Sequence, residues 1–201
     1  MLLYGASGHA RVVKDCVSTS GGVVTDIFDD NPDLIKLDQI PVVGYYKPEH
    51  KPSELLIISI GDNLIRKKIV SKVKHSFGKA IHSASVVSPS STIGVGTVVM
   101  LGAIVNAGSS VGNHCILNSN SIVEHDCTLG DFIHLSSNVT LCAEVRIDEG
   151  THIGAGSTVI PGKHIGKWCV IGAGAVIIQD IPDYSMVVGV PGKIIRTLVR
   201  K

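Results

Sequence analysis

From residue 81 onward every sixth position of the chain is aliphatic: Ile81, Val87, Ile93, Val99, Val105, Val111, Leu117, Val123, Leu129, Leu135, Leu141, Ile147, Ile153, Val159, Ile165, Ile171 and Ile177. Isoleucine, leucine and valine supply 63 of the 201 residues, so an unbroken run of this length has a chance probability of order 10⁻⁸ in a given phase. Four places after an aliphatic position stands a small or short-branched residue (Ser85, Ser91, Thr97, Ala103, Ser109, Cys115, Ser121, Cys127 and onward), with Ile133 and Lys163 as exceptions. Three places after it lies a position rich in glycine, asparagine and aspartate, as at Gly96, Gly102, Gly108, Asn120, Asp126, Asn138, Gly150 and Gly156. Those residues tolerate positive φ, so each hexad reads as a short extended segment followed by a sharp corner.

One inward aliphatic, one inward small residue and one corner per six residues describe one side of a triangular prism. Three sides close a coil, and coils stacked at the strand spacing of about 4.8 Å predict a rod of five to six coils, roughly 27 Å long. The period does not determine the handedness, because parallel β connections are normally right-handed. A solenoid without chemistry would show the same period.

Residues 1–80 follow a different pattern. Met1–Tyr4 is a short apolar run, followed by Gly5-Ala6-Ser7-Gly8-His9 and then a helical spacing through Val12, Val13, Cys16 and Val17. Strand, glycine turn and helix in that order can cradle phosphate against a helix N-terminus. The G-x-x-G spacing falls short of a dinucleotide fingerprint and makes no case for NAD. A second strand is expected over 23–28, ending in Asp29-Asp30, and a third over 55–60, ending in Gly61-Asp62-Asn63 before a helix over 64–74. The three strand ends place Gly5, Ser7, Gly8, His9, Asp29, Asp30, Gly61 and Asn63 where open α/β sheets bind ligands. The alternative is that Gly5 and Gly8 only cap a helix and Asp29-Asp30 only turn the chain.

Composition narrows the classes. A net charge of +1 gives no basic surplus for nucleic acid, and no stretch reaches the roughly 18 apolar residues of a membrane span. The N-terminus carries glycines and charges where a signal peptide needs an apolar run, so a cytoplasmic location is expected. Five cysteines (Cys16, Cys115, Cys127, Cys142, Cys169) form no C-x-x-C pair, which argues against disulfides and a thiolate zinc site.

A chain that begins LLYGASGHARVV, passes through ISIGDNLIRKKI and continues into hexads with NSNSIVEHDCTLGDFIHLSSNV, ending in VVGVPGK, resembles the hexapeptide-repeat sugar acetyltransferases related to the sialic acid O-acetyltransferases. Within them it is most similar to bacterial enzymes that N-acetylate nucleotide-linked 4-amino sugars for glycan assembly. The resemblance implies an α/β Rossmann-like domain (1–80) that holds the nucleotide sugar, a left-handed parallel β-helix (81–180) that holds acetyl-CoA, and a C-terminal tail (181–201). It also implies a homotrimer with active sites between subunits.

The hexad phase points His125 outward, flanked one coil away on each side by Ala107 and Ala143, with Glu124 and Asp126 beside it. A carboxylate that orients an imidazole is what a general base needs near neutral pH. The resemblance makes His125 the base and Asp126 its acidic partner, at a position where relatives commonly carry glutamate. His134 lies nine residues on, one and a half sides around the prism, so within one subunit the two histidines face different ways. The resemblance places His134 at the thioester carbonyl of acetyl-CoA, with Asn118 orienting substrate or carbonyl. His152, one coil beyond His134, stacks on it, but two histidines make an incomplete metal site; no metal is expected. His114 and His164 have no expected catalytic role. The amine attacks the thioester directly, with no acyl-enzyme, since Cys115 and Cys127 sit at the inward small-residue phase. The coenzyme A arm is expected along Ala143, Gly154-Ala155-Gly156 and Gly172-Ala173-Gly174, with Lys193 near phosphate; corner geometry explains those glycines equally well. The rival readings are O-acetylation of sialic acid or another sugar, and a non-catalytic scaffold that binds sugar nucleotides.

Overall fold

The computed structural model describes residues 1–198; the last three residues of the expected tail, 199–201, lie outside it. The N-terminal unit runs β1 (Leu2–Tyr4), α1 (Gly8–Thr19), β2 (Asp26–Phe28), a hairpin of β3 (Lys36–Leu37) and β4 (Ile40–Pro41), β5 (Leu56–Ile58) and α2 (Asn63–Val70). The three buried strands form a parallel sheet in the order β2-β1-β5. β1 and β5 are unbroken hydrophobic runs, and β2 adds Ile27 and Phe28 after a buried Asp26; none alternates, as befits strands covered on both faces.

Three elements are shorter than the sequence spacing predicts, among them β5, which keeps only Leu56–Ile58 of the expected 55–60. The strand expected from Val23 begins at Asp26, because Val23 is 69% exposed and the ladder to β1 starts only where Thr25 N–H reaches the Met1 carbonyl. The helix expected to run to Lys74 ends at Val70: Lys72 and Val73 both donate to the Ile69 carbonyl, a tightened turn that returns Val73 to the apolar cluster under the sheet.

The hexads form seventeen two-residue strands, from β6 (Ala80–Ile81) to β22 (Val176–Ile177). They pair in parallel from coil to coil, as in Ile104↔Ile122↔Thr140, which builds three walls with six, six and five of these strands, and two later strands extend one wall of six to eight. From Val99 to Ile177 every hexad aliphatic is at most 3% exposed. Ile81, Val87 and Ile93 are only partly buried, since the first coil has no neighbour above it. The small inward positions bridge coils: the Thr97 hydroxyl donates to the Gly112 carbonyl and accepts from Cys115 N–H, and Ser109, two hexads on, and Thr151, three coils on, repeat the pattern. From Gly96 to Gly174 every corner turns with positive φ, including those held by His114 (53°), Phe132 (58°), Glu144 (60°) and Trp168 (53°). Their bulk is accommodated in a column, because a Cβ on Gly96 would overlap the His114 ring and one on Gly150 the Trp168 ring.

Helix α1 lies on the first strands of the eight-stranded wall, where Ala10, Val13 and Leu3 pack with Val98, Met100 and Ile116. Beyond the hexads, β23 (Ser185–Val188) joins that wall in parallel and β24 (Lys193–Thr197) returns antiparallel. Among the described residues no helix is long and apolar enough to cross a membrane. The expected fold class, an α/β unit followed by a hexapeptide-repeat parallel β-helix, is what the chain adopts.

Candidate active site

The carboxyl ends of β1, β2 and β5 gather the first group of candidates. Gly5 sits at φ +109°, and a Cβ there would lie 2.7 Å from Ile60 Cγ1, so only glycine fits. At Gly8 a Cβ would meet nothing within 4 Å; its smallness leaves open space rather than filling a packing need. The Asp29 carboxylate accepts from Ala6 N–H at 2.7 Å and from Asn31 N–H at 2.9 Å, pinning the glycine turn from the neighbouring strand. Asp30 accepts from the Tyr4 hydroxyl at 2.8 Å. Burial, then that carboxylate, pushes the Tyr4 phenol well above its ordinary value, so it remains a donor. Ser7, at the N-cap of α1, is exposed and makes no side-chain cap bond.

The loop after β5 joins this edge to the β-helix. The Gly61 carbonyl accepts from His134 Nδ1 at 3.1 Å, and His9 stands near, its ring centroid 6.4 Å from that of His134. His134 and His152 are register partners and stack at 4.7 Å, with Ser136 Oγ 2.8 Å from His152 Nε2. Burial, reinforced by neighbouring positive charge, holds His134 down to about 3 and His9 down to about 4. Both rings are therefore neutral at pH 7.

Asn63 belongs to a seam rather than to the open edge. Its amide donates to the Gly150 and Thr151 carbonyls at 3.0 and 3.3 Å, and its oxygen accepts from Arg66 Nη2 at 2.7 Å. Arg66, which the sequence reading passed over, is 1% exposed. It also reaches the carbonyls of His114, Ile60, Gly61 and Phe132. The signal was present: Asn63 and Arg66 are one helical turn apart and share the face of α2 that meets the β-helix. Next to them Lys67 lies over the rings of Phe132 and Trp168 and pairs with Glu149. Beside α2 a cavity of about 900 Å³ is lined by residues including Gly61, Lys67, His134, His152, Trp168 and Tyr184.

His125 stands apart from this group. It follows β13 (Ile122–Val123) of the six-stranded wall, whereas His134 opens β15 (His134–Leu135) of the eight-stranded wall. Its side chain is 55% exposed, and Nδ1 lies 2.8 Å from Asp126 Oδ2. The hydrogen bond to Asp126, with the charges of Asp126, Glu124 and Glu144, raises its pKa above the ordinary histidine value. Asp126 holds the left-handed corner (φ 58°) that presents its carboxylate to the ring before it. Glu124 instead accepts from Asn106 Nδ2 at 2.9 Å.

The remaining candidates are dispersed. Asn118 turns the corner between the eight- and six-stranded walls and accepts from Ser119 N–H at 2.8 Å. Ala155 and Ala173 are exposed one coil apart at that same corner, Ala143 sits one coil from His125, and Lys193 is exposed on β24. Gly154 is required by coil stacking, since a Cβ would approach Ala173 N to 2.5 Å, whereas Gly156 and Gly174 have positive φ and open space beyond. Burial pushes the Cys115 thiol up to about 12 and raises Cys127, so both are inert hydrophobes. His114 is buried between Phe77 and Phe132, and His164 pairs with Asp148. Among the described residues no group of three or more His, Cys, Asp or Glu is placed to hold a metal ion.

Comparison with known proteins bears on the whole arrangement. A family model described as the PglD N-terminal domain matches residues 1–73. The UDP-N-acetylbacillosamine N-acetyltransferase of Bacillus subtilis (strain 168) is 34% identical over 107 residues, 49% of this chain and 50% of that protein, so the match spans half the length of that curated relative. The crystal structure of PerB from Caulobacter crescentus, in complex with CoA and GDP-perosamine, superposes with a TM-score of 0.90 at 36% identity over 96% of this chain and 95% of that one. The acetyltransferase domain of PglB from Neisseria gonorrhoeae FA1090, also solved with acetyl coenzyme A, is 33% identical over 96% of this chain and 98% of that one, with a TM-score of 0.88. With identity of this level sustained across both the α/β unit and the β-helix, the chain belongs to the hexapeptide-repeat family of nucleotide-sugar amino-sugar acetyltransferases.

Proposed function

We propose that this enzyme transfers the acetyl group of acetyl-CoA to the 4-amino group of a nucleotide-linked amino sugar destined for surface glycan, with His125 as general base. The observation that carries the reading is the exposed His125–Asp126 pair on a chain otherwise similar to PerB, a protein solved with CoA and GDP-perosamine. Residues 1–80 would hold the nucleotide sugar, with the Gly5–Gly8 turn, pinned by Asp29, toward the diphosphate. The β-helix, 81–180, would hold acetyl-CoA along Ala143, Ala155 and Ala173, with Lys193 of the tail toward phosphate. His125 and His134 lie on different walls, and a homotrimer would bring His125 of one subunit toward His134 and Asn118 of the next.

The amine nitrogen attacks the thioester carbonyl, a tetrahedral intermediate forms, and its collapse expels coenzyme A as the thiol. Neutral His125 accepts the proton released from nitrogen, and Asp126 stabilises the imidazolium that results. General-base help of this kind contributes about 10² to 10⁴ in rate.

The test is thiol release from acetyl-CoA with UDP-, dTDP- and GDP-linked 4-amino sugars and free sialic acid, for wild type and His125→Ala. Turnover of one nucleotide amino sugar that largely vanishes in the variant is expected. Turnover of sialic acid alone would replace N- with O-acetylation, and silence across the panel with acetyl-CoA still bound would favour a scaffold.

A further inference from the structure

The cavity beside α2 extends past the residues of the proposed active site. It runs from Gly61, before the start of the helix, to Ser71 at its C-cap. Of the residues assigned to the transfer reaction only Gly61, Asn63 and His134 border it, whereas Lys68, Lys167, Trp168 and Tyr184 also line it and have no part in that reaction.

Trp168 and Tyr184 are residues that the repeat does not ask for. The register Val170↔Met186 places Tyr184 one coil after Trp168, so the two form consecutive steps of one corner column. They hold φ of 58° and 53° respectively, in a region that favours glycine, asparagine and aspartate and that costs a bulky side chain backbone energy. Below Gly150, where the column has no side chain, Lys67 lies over the Trp168 ring and pairs with Glu149.

The polar groups left over on the lining are donors. Asp62 is engaged at the start of α2, where it accepts from Ile65 N–H at 2.8 Å, and Glu149 is engaged by Lys67. Among the described residues no carboxylate pairs with Lys68 or Lys167, and neither the Trp168 indole N–H nor the Tyr184 hydroxyl has an acceptor. Two ammonium groups, an indole N–H and a phenol O–H match an acceptor-rich anion. The two aromatic side chains match a flat ring. At about 900 Å³ the cavity has the size of a site for an organic molecule rather than for a bare ion.

We propose that the α2 cavity is a second binding site, for a phosphate-bearing nucleotide. The phosphates meet Lys68 and Lys167, and the base packs on Trp168 and Tyr184. The site is separate from the Gly5–Gly8 turn, none of whose residues borders the cavity, and it does not rest on the transferase reading. Two sources share the chemistry: the nucleoside diphosphate of a sugar nucleotide, and the phosphorylated adenosine end of coenzyme A.

Trp168 is the one tryptophan of the chain, so its emission reads this cavity without any turnover. Excitation at the red edge of the indole band, where nucleotides absorb little, is followed during titration of the intact protein with UDP, GDP, 3′,5′-ADP and inorganic phosphate. Saturable quenching by a nucleotide is expected, together with movement of the single indole N–H resonance in ¹H–¹⁵N spectra. Lys68 and Lys167 are exposed, so the pair of substitutions Lys68→Glu and Lys167→Glu should leave the thermal midpoint unchanged and raise Kd about tenfold or more. Asp29→Ala, which acts on the glycine turn through Ala6 N–H, should leave Kd at the cavity unchanged. A response to UDP or GDP assigns the ligand to the sugar nucleotides, and a response to 3′,5′-ADP alone assigns it to coenzyme A. Absence of saturable quenching overturns the proposal, and so does a Kd that the charge reversal leaves in place. Quenching lost in Asp29→Ala would put the nucleotide at the turn instead, and inorganic phosphate as effective as any nucleotide would remove the ring from the site; either result overturns the proposal.

Discussion

His134 and His152, one coil apart on the eight-stranded wall, stack with ring centroids 4.7 Å apart and planes 19° from parallel. Two imidazoles at that distance beside the buried Arg66 guanidinium cannot both take up protons cheaply. Burial lowers His134 to about 3 and His9 and His114 to about 4. In the unfolded chain each would titrate near 6.5, so below that pH the unfolded state binds more protons and the folded state loses ground. The stability these three groups confer is present above about pH 6.5 and is lost as pH falls through about 4 to 3. His125, raised rather than lowered, works in the opposite direction from an exposed site. Urea midpoints should fall steadily from pH 7.5 to pH 5; a flat or rising series would contradict the buried neutral cluster.

Replacing Asp126 with asparagine keeps the shape of the corner, since asparagine also tolerates a positive φ. The substitution removes the charge that raises His125. The proposed base works when neutral, so the acid limb of the kcat/KM profile should move to lower pH in Asp126→Asn. His125→Ala should lose about 10²- to 10⁴-fold in rate with an unchanged thermal midpoint. An acid limb that stays in place would dissociate Asp126 from the base.

Arg66 bridges α2 to two coils of the β-helix through the His114 and Phe132 carbonyls. Arg66→Met fills similar space but leaves buried oxygens without donors, and it should cost about 3 kcal/mol or more. Denaturant unfolding measures the loss, and proteolysis localises it, with cleavage expected first in the N-terminal unit.

Two corner glycines of similar φ separate backbone strain from packing. Gly150 (φ +75°) lies under the Trp168 ring, whereas Gly174 (φ +68°) has nothing within 4 Å of where its Cβ would stand. Gly174→Ala should cost about 1–2 kcal/mol, the backbone penalty alone. Gly150→Ala should cost clearly more, because Trp168 must also leave its place over the corner. Equal losses in thermal unfolding would show that the column is not tightly packed.

Asp29 acts on the glycine turn through Ala6 N–H. Asp29→Ala should therefore raise KM for the nucleotide sugar severalfold and leave KM for acetyl-CoA nearly unchanged. A matched rise in both would mean that the turn does not belong to the sugar-nucleotide site.

The β-helix is legible in the primary structure because each hexad meets only its neighbours along the rod. A local period then has a local structural meaning, and Val99 to Ile177 occupy the lumen as the spacing demands. The strand-turn-helix order of 1–19 is equally local, and so is the His125–Asp126 pair, made by adjacent residues on a corner. The corner occupants His114, Phe132 and Trp168 break the composition rule, yet they adopt the same positive φ, because the closing coil imposes the turn; a glycine one coil before makes room for the His114 and Trp168 rings, and Phe132 stacks on His114.

Contacts between the two units depend on partners far apart in sequence, and no period announces them. Asn63 stands at a strand end, where a ligand contact is expected, but its amide finds the Gly150 and Thr151 carbonyls 87 and 88 residues away. Arg66 reads as one cation in an Arg-Lys-Lys run until the docking of α2 removes it from water and surrounds it with carbonyls. The proton on His134 Nδ1 follows from the Gly61 carbonyl, 73 residues distant. Repeat, corner and the His125–Asp126 pair are thus consequences of short-range sequence, whereas burial, protonation and the commitment of each polar atom arise only when the α/β unit packs on the rod and excludes water between them.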